Sequence, residues 1–345
     1  MTLNIEREIH EQPAAAARLL DAERAHAVRI AAAIREYDPA YVCIAARGTS
    51  DNAARYAQYI MGAHLGLTVA LAAPSLHTLY RKPPRYHRAL VIGISQSGQS
   101  EDVRQVITDA RAHGALTVSI TNAPDSPLAQ NADHHLYIHA GAELAVAATK
   151  TYTAELIALA LITAAVSTDT TLTAALDTIP AALRATLELT TPIHAWAGYL
   201  KDMTQYAVIG RGYNYCTAYE ISLKIKELCS VIGEEYSEAD FRHGPIAVVQ
   251  PGIPVIIVAP RDATVEKMRE LVEKLNVKGA DCLVISDDET FGSIARQYMP
   301  IAPLVDWLSP IAAVIPGQVM AMHLAVARGG DVDAPIGLTK VTNTV

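Results

Sequence analysis

Short apolar runs alternate along this chain with longer stretches in which apolar residues recur every three or four positions. The short runs, Tyr41–Ala46, Val69–Leu71, Leu90–Ile94, Ala115–Thr121 and His135–Ile138, have strand length and strand composition. The longer stretches predict helices. The first covers Met1 to about Ala33, interrupted once at Glu8–Pro13 because proline ends or starts a helix. The next covers Asn52–Ala63, with Tyr56, Tyr59 and Ile60 inward. A third follows Ser100 with Val103, Val106 and Ile107 on one side; a short one covers Ser126–Asn131 and a long apolar one Thr151–Val166. Strands and helices taking turns imply crossover units and a parallel sheet, an α/β fold.

The pattern is then replayed. Tyr206–Gly212 repeats Tyr41–Gly48, a helix over 217–228 repeats the one over 52–63, Pro254–Pro260 repeats Ala89–Ile94, and Cys282–Ser286 repeats Ala115–Ile120. The order of the four pieces marks a duplicated α/β unit. A helical segment over 1–25, a first domain over 26–170, a second over 190–335 and a tail over 336–345 follow, with the joint between Ser167 and Trp196. A chain of 345 residues is long enough for about two domains.

Composition removes several functions. A net charge of -8 argues against general nucleic-acid binding. The start of the chain has no apolar core of a signal peptide. The apolar stretch from Leu156 to Val166 is short for a bilayer, and Pro316, Gln318 and His323 interrupt the one from Pro310 to Ala327. Cys43, Cys216, Cys229 and Cys282 are scattered, which fits core thiols in a reducing cytoplasm and no metal.

One stretch in the first copy carries chemistry. Leu90–Ile94 is a strand, Ser95-Gln96-Ser97-Gly98 a tight turn, and a helix resumes after Ser100. A helix start offers unpaired N–H groups to an anion, and Ser95, Ser97, Ser100 and Gln96 add polar side chains. The turn holds no Lys or Arg, so a phosphate on a small molecule fits better than a nucleotide triphosphate. A serine-rich helix cap is the alternative. In the second copy this turn has become Pro260-Arg261-Asp262-Ala263.

Glu220, Lys224 and Glu227 share one helical face, as either a solvated ion-pair stripe or an acid–base group. His243 precedes Gly244-Pro245, a loop that orients a side chain. Glu143–Lys150 precedes a helix and either caps it at Thr149 or lines a pocket. The tail around Lys340 has too few polar residues for a free end, so it should pack back and deliver an amine.

Together these pieces resemble the isomerase half of glucosamine-6-phosphate synthase, built from two SIS (sugar isomerase) domains. The matching residues are Gly48-Thr49-Ser50, Ser95–Ser100, Val146–Lys150, Gly210-Arg211-Gly212, Leu223–Glu227, His243-Gly244-Pro245, Asp331–Pro335 and Leu338-Thr339-Lys340. The resemblance runs from Glu8 to the end. It implies two SIS domains, each a parallel sheet flanked by helices in a flavodoxin-like three-layer sandwich. It implies that Ser95, Gln96, Ser97 and Ser100 hold a phosphate and that Thr49, Ser50, Val146 and Ala147 line the sugar. Glu227 would move a proton between C1 and C2, and His243 would open the ring from the other subunit of a homodimer. Lys340 and Lys224 would polarise the open-chain carbonyl or form an imine.

Two departures shape the expected activity. No glutaminase segment or cysteine lies ahead of Glu11-Gln12-Pro13, so transfer from glutamine is not expected. Ala148 stands where the family often has Ser. The expectation is a cytoplasmic, cofactor-free enzyme similar to the SIS-type deaminases, converting glucosamine 6-phosphate to fructose 6-phosphate and ammonia. A fructosamine-6-phosphate deglycase and a non-catalytic sugar-phosphate sensor are the alternatives.

Overall fold

A computed structural model describes residues 3–340. The chain forms two compact units, and neither is contiguous in sequence: of the described residues, 14–143, 150–177 and 339–340 make the first, and 3–13, 144–149 and 178–338 the second.

The first unit is built on five parallel strands: β1 (Tyr41–Ala45), β2 (Val69–Leu71), β3 (Ala89–Ser95), β4 (Leu116–Thr121) and β5 (His134–Tyr137), in the order β2-β1-β3-β4-β5. All seven residues of β3 are buried, as expected of a central strand covered on both faces. Helix Glu101–Ala112 turns Val103, Val106 and Ile107 into a core with Cys43, Ala45, Val91 and Leu128. Helix Thr49–Leu65 buries Tyr56 and Ile60, but Tyr59 is 37% exposed. Tyr56 and Ile60 are one i,i+4 pair, whereas Tyr59 falls on the edge of that stripe.

The second unit repeats the plan with β6 (Gln205–Gly210), β7 (Ile232–Ser237), β8 (Pro254–Val258), β9 (Asp281–Ser286) and β10 (Gln297–Pro300). Its parallel sheet runs β10-β9-β8-β6-β7, the same order as the first once its strands are counted within their own copy. Pro180 begins helix Ile179–Glu188 and does not break it, because a first-turn N–H has no intrahelical partner to lose.

Two helical segments, Lys150–Ser167 and Asp306–Ala327, are long and apolar enough to cross a membrane, contrary to the sequence expectation. Pro316 lies inside a continuous helix, Ser309–Ala327. In each, 83% of the apolar window is buried within protein, as in a core helix that is hydrophobic all round.

The short helix Asn4–His10 belongs to the second unit. Asp333 accepts from the backbone N–H of Asn4 at 2.8 Å and of Ile5 at 2.9 Å, which satisfies its N-terminus. Its fully buried Glu8 accepts in turn from the N–H groups of Leu144 and Ala145.

Candidate functional site

In a parallel sheet whose strand order reverses direction, ligands bind beyond the carboxyl ends of the two strands at the reversal. In the first unit those strands are β1 and β3, paired directly with Ala45 opposite Gly93. After β1 come Arg47 and Gly48 in a short loop and Thr49 and Ser50 in the first turn of helix Thr49–Leu65, and the loop after β3 carries Gln96–Ser100. The expected phosphate and sugar residues Ser95–Ser100, Thr49 and Ser50 therefore lie at and after the carboxyl ends of adjacent strands.

The turn after β3 is closed by its own side chains. Gly98 N–H reaches both the carbonyl and the Oγ of Ser95 at 3.2 Å, and the Oγ atoms of Ser95 and Ser100 lie 3.3 Å apart. Gln99 N–H donates to Ser97 Oγ at 3.3 Å. Gly98 has φ +64°, and a Cβ there would lie 2.0 Å from Ser126 Oγ, so only glycine fits. Ser100 stands at the N-cap of helix Glu101–Ala112 without capping it through its side chain. In the first turn of helix Thr49–Leu65, Ser50 Oγ donates to the buried Glu155 at 2.8 Å.

Sequence reading found no cation in the serine turn, but the fold brings one beside it. Arg47 Nε donates at 2.7 Å to Asp102 Oδ2, a buried carboxylate in the first turn of helix Glu101–Ala112. The two residues are 55 apart in sequence, so no local pattern joins them.

The tail also enters the first unit. Lys340 Nζ donates at 2.8 Å to the buried Glu143 Oε2, which also accepts from Thr151 Oγ1 at 2.8 Å. Lys150 is 2% exposed and its ammonium donates to the Ala142 carbonyl.

The second unit holds the other expected residues. On helix Tyr215–Cys229, Lys224 Nζ lies 3.4 Å from Glu220 Oε1 and 2.5 Å from Glu227 Oε2. Glu220 and Lys224 are fully buried while the Glu227 side chain is 23% exposed, which excludes a solvated stripe. Lys226 faces elsewhere and pairs with Glu235 at 2.7 Å. His243 is exposed at the end of helix Glu238–Arg242, a turn held by buried Glu238 between Arg211 and Arg242. Val146 N–H donates to the Asp333 carbonyl at 3.3 Å, and Ala147 is buried. Glu8 and Asp333 therefore fix the Leu144–Thr149 segment. The only signal for them in the sequence was membership of the Glu8–Pro13 and Asp331–Pro335 motifs.

Thus Thr49, Ser50, Ser95, Gln96, Ser97, Ser100 and Lys340 lie in the first unit, and Val146, Ala147, Lys224, Glu227 and His243 in the second. Among the described residues no group of three or more His, Cys, Asp or Glu side chains is placed to hold a metal ion. All four thiols are buried, and burial pushes Cys43 up to about 11 and Cys229 and Cys282 up to about 12. They have the character of inert core residues.

Comparison with known proteins gives the following. The sequence profile described as SIS domain matches residues 37–165 and 199–328. The glutamine–fructose-6-phosphate aminotransferase (isomerizing) of Pyrococcus horikoshii is 32% identical over 339 residues, covering 97% of this chain and 56% of the relative. The chain thus spans about half the length of the curated relatives it matches. A crystal structure from Silicibacter pomeroyi, assigned provisionally as a phosphosugar isomerase, superposes with a TM-score of 0.86 at 34% identity, covering 96% of this chain and 100% of that one. The C-terminal domain of glucosamine-fructose-6-phosphate aminotransferase from Francisella tularensis superposes with a TM-score of 0.90 at 27% identity, covering 97% and 98%.

Proposed function

This chain belongs to the SIS-domain family, with two copies of the domain, and from that premise we propose that it is a sugar-phosphate isomerase acting on an amino sugar. The reaction we assign is conversion of glucosamine 6-phosphate to fructose 6-phosphate and ammonia. The observation that carries the reading is the Glu220–Lys224–Glu227 row. Its only partly exposed member is a carboxylate, and a buried ammonium lies 2.5 Å away. A carboxylate so placed suits proton transfer between neighbouring carbons.

In this reading Ser95, Gln96, Ser97 and Ser100 hold the phosphate, and Thr49, Ser50, Val146 and Ala147 line the sugar. His243 of the partner subunit in a cytoplasmic homodimer moves the ring-opening proton. Glu227 then takes the proton from C2 of the open-chain aldehyde and returns it at C1, while the C1 oxygen gains a proton and the amino nitrogen loses one, leaving a hydroxyl at C1 and an imine at C2. Water adds to that carbon and ammonia departs, giving the ketose. Lys224 and Lys340 supply positive charge as the carbonyl oxygen gains electron density. The buried thiols have no part in this sequence, and the nitrogen leaves as free ammonia.

The test is release of ammonia together with fructose 6-phosphate from glucosamine 6-phosphate by purified protein. Activity at least 100-fold above the Glu227→Gln variant is expected. No product above that variant sinks the reading. Release only from fructose-lysine 6-phosphate replaces the substrate. Ligand-induced stabilisation without turnover of either replaces catalysis with sensing.

A further inference from the structure

We propose that Arg47 supplies the cation of the sugar-phosphate site and that Asp102 holds it in place. This rests on the reading of the Ser95–Ser100 turn as a phosphate site. A phosphate monoester carries up to two negative charges near neutral pH, and the turn offers it only hydroxyls, an amide and backbone N–H groups. Arg47 lies in the adjacent loop, two residues before Thr49. Its bond to Asp102 anchors the guanidinium at the first turn of the helix that follows the serine turn.

The geometry leaves the fork usable. A guanidinium has five donors, and the Asp102 contact occupies Nε. The terminal nitrogens have no hydrogen-bond partner among the described residues, and the side chain is half exposed. Asp51 also lies near Arg47, but it has its own partner in Arg55 at 3.2 Å. Asp102 is 1% exposed, so it cannot itself turn out to solvent. A guanidinium fixed at one edge by a buried carboxylate presents its other edge in a set direction, the arrangement that favours paired bonds to phosphate oxygens.

A bland role exists: Arg47 only neutralises Asp102, whose bare charge would repel an anion. A double variant separates the two. Binding is measured calorimetrically for fructose 6-phosphate, unphosphorylated fructose and inorganic phosphate on the full chain. Arg47→Met should weaken fructose 6-phosphate and inorganic phosphate about 10- to 100-fold and leave fructose unchanged. Arg47→Lys keeps a counterion for Asp102 and should fold normally, with an intermediate loss. Arg47→Met combined with Asp102→Asn should stay at least 10-fold weaker than the wild type. Its recovery to within twofold, or an unchanged affinity in both Arg47 variants, overturns the proposal. Arg47-dependent phosphate binding without turnover of any amino sugar phosphate would leave this proposal standing and remove the proposed reaction. Wild-type protein that binds neither phosphate probe overturns both.

Discussion

Replacing Gly98 by alanine puts one methyl group where the structure has no room for it. The new Cβ would lie 2.0 Å from Ser126 Oγ and 2.4 Å from Ser126 Cβ. Ser126 is 3% exposed, and its Oγ caps helix Pro127–Asn131 by accepting from Ala129 N–H at 3.3 Å. It cannot yield without losing that cap, worth about 1 kcal/mol. The left-handed backbone at φ +64° adds roughly 1–2 kcal/mol for any residue with a Cβ. Overpacking of a filled site adds about 1–3 kcal/mol. A total loss of about 3–6 kcal/mol is expected, or a fall in Tm of roughly 5–15 °C. The strain is relieved most readily by shifting the Ser95–Ser100 turn, so affinity for fructose 6-phosphate should fall at least 10-fold. Thermal unfolding and calorimetric titration measure the two effects. Adding Ser126→Gly makes Thr121 Cγ2 at 3.5 Å the nearest neighbour, an ordinary contact, and should recover more than half of the lost stability. A Gly98→Ala protein with unchanged Tm and affinity, or a double variant no better than the single one, refutes the reasoning.

Glu227→Gln should cut kcat by about 100- to 10,000-fold, whereas Glu220→Gln, at the buried end of the same row, should act chiefly on stability, by up to about 3–5 kcal/mol in urea unfolding. Equal effects of the two on kcat would contradict the division of roles. Native protein should react with a thiol reagent at pH 8 at none of its four cysteines within minutes, and at all four once unfolded; a fast native thiol would show that one of them is accessible. Burial lowers His135 below its usual 6.5, with the Glu23 carboxylate opposing and His26 adding to the shift. The unfolded chain therefore binds the proton more readily, and the contribution is fully present above about 6.5 and fades as pH falls towards the folded value. Tm should drop between pH 7 and 5, and less steeply in His135→Gln; parallel profiles would refute the assignment.

Local periodicity is what a chain displays on its own, and here it was sufficient for the five strands of the first copy, for three strands of the second and for the duplication, whereas strands Ile232–Ser237 and Gln297–Pro300 and helix Val265–Val277 went unread. Each strand and helix depends on residues within about ten positions of one another, because the burial of one face is a local demand, and the duplication was legible as the repeated order of such pieces. The serine turn was legible for the same reason: Ser95, Gly98 and Ser100 close on each other within six residues. The exposure of Tyr59 and the uninterrupted helix through Pro316 lay at the limit of that information, since packing on neighbouring elements decided both.

What no window of sequence contained is who meets whom across the fold. An E-x-x-x-K-x-x-E row reads identically whether solvated or buried, and only the packing of helix Tyr215–Cys229 made Glu220 and Lys224 interior and left Glu227 partly open. Arg47 met Asp102, Glu8 met Leu144 and Lys340 met Glu143 across 55, 136 and 197 residues. The two units draw on interleaved segments for the same reason. A buried carboxylate must find a partner wherever the fold supplies one, and distance along the chain has no bearing on that choice. Sequence alone thus determined a twice-copied α/β scaffold with one serine-rich turn between a strand and a helix; tertiary structure decided which charges stand around that turn, because pairing of buried charge is settled in space.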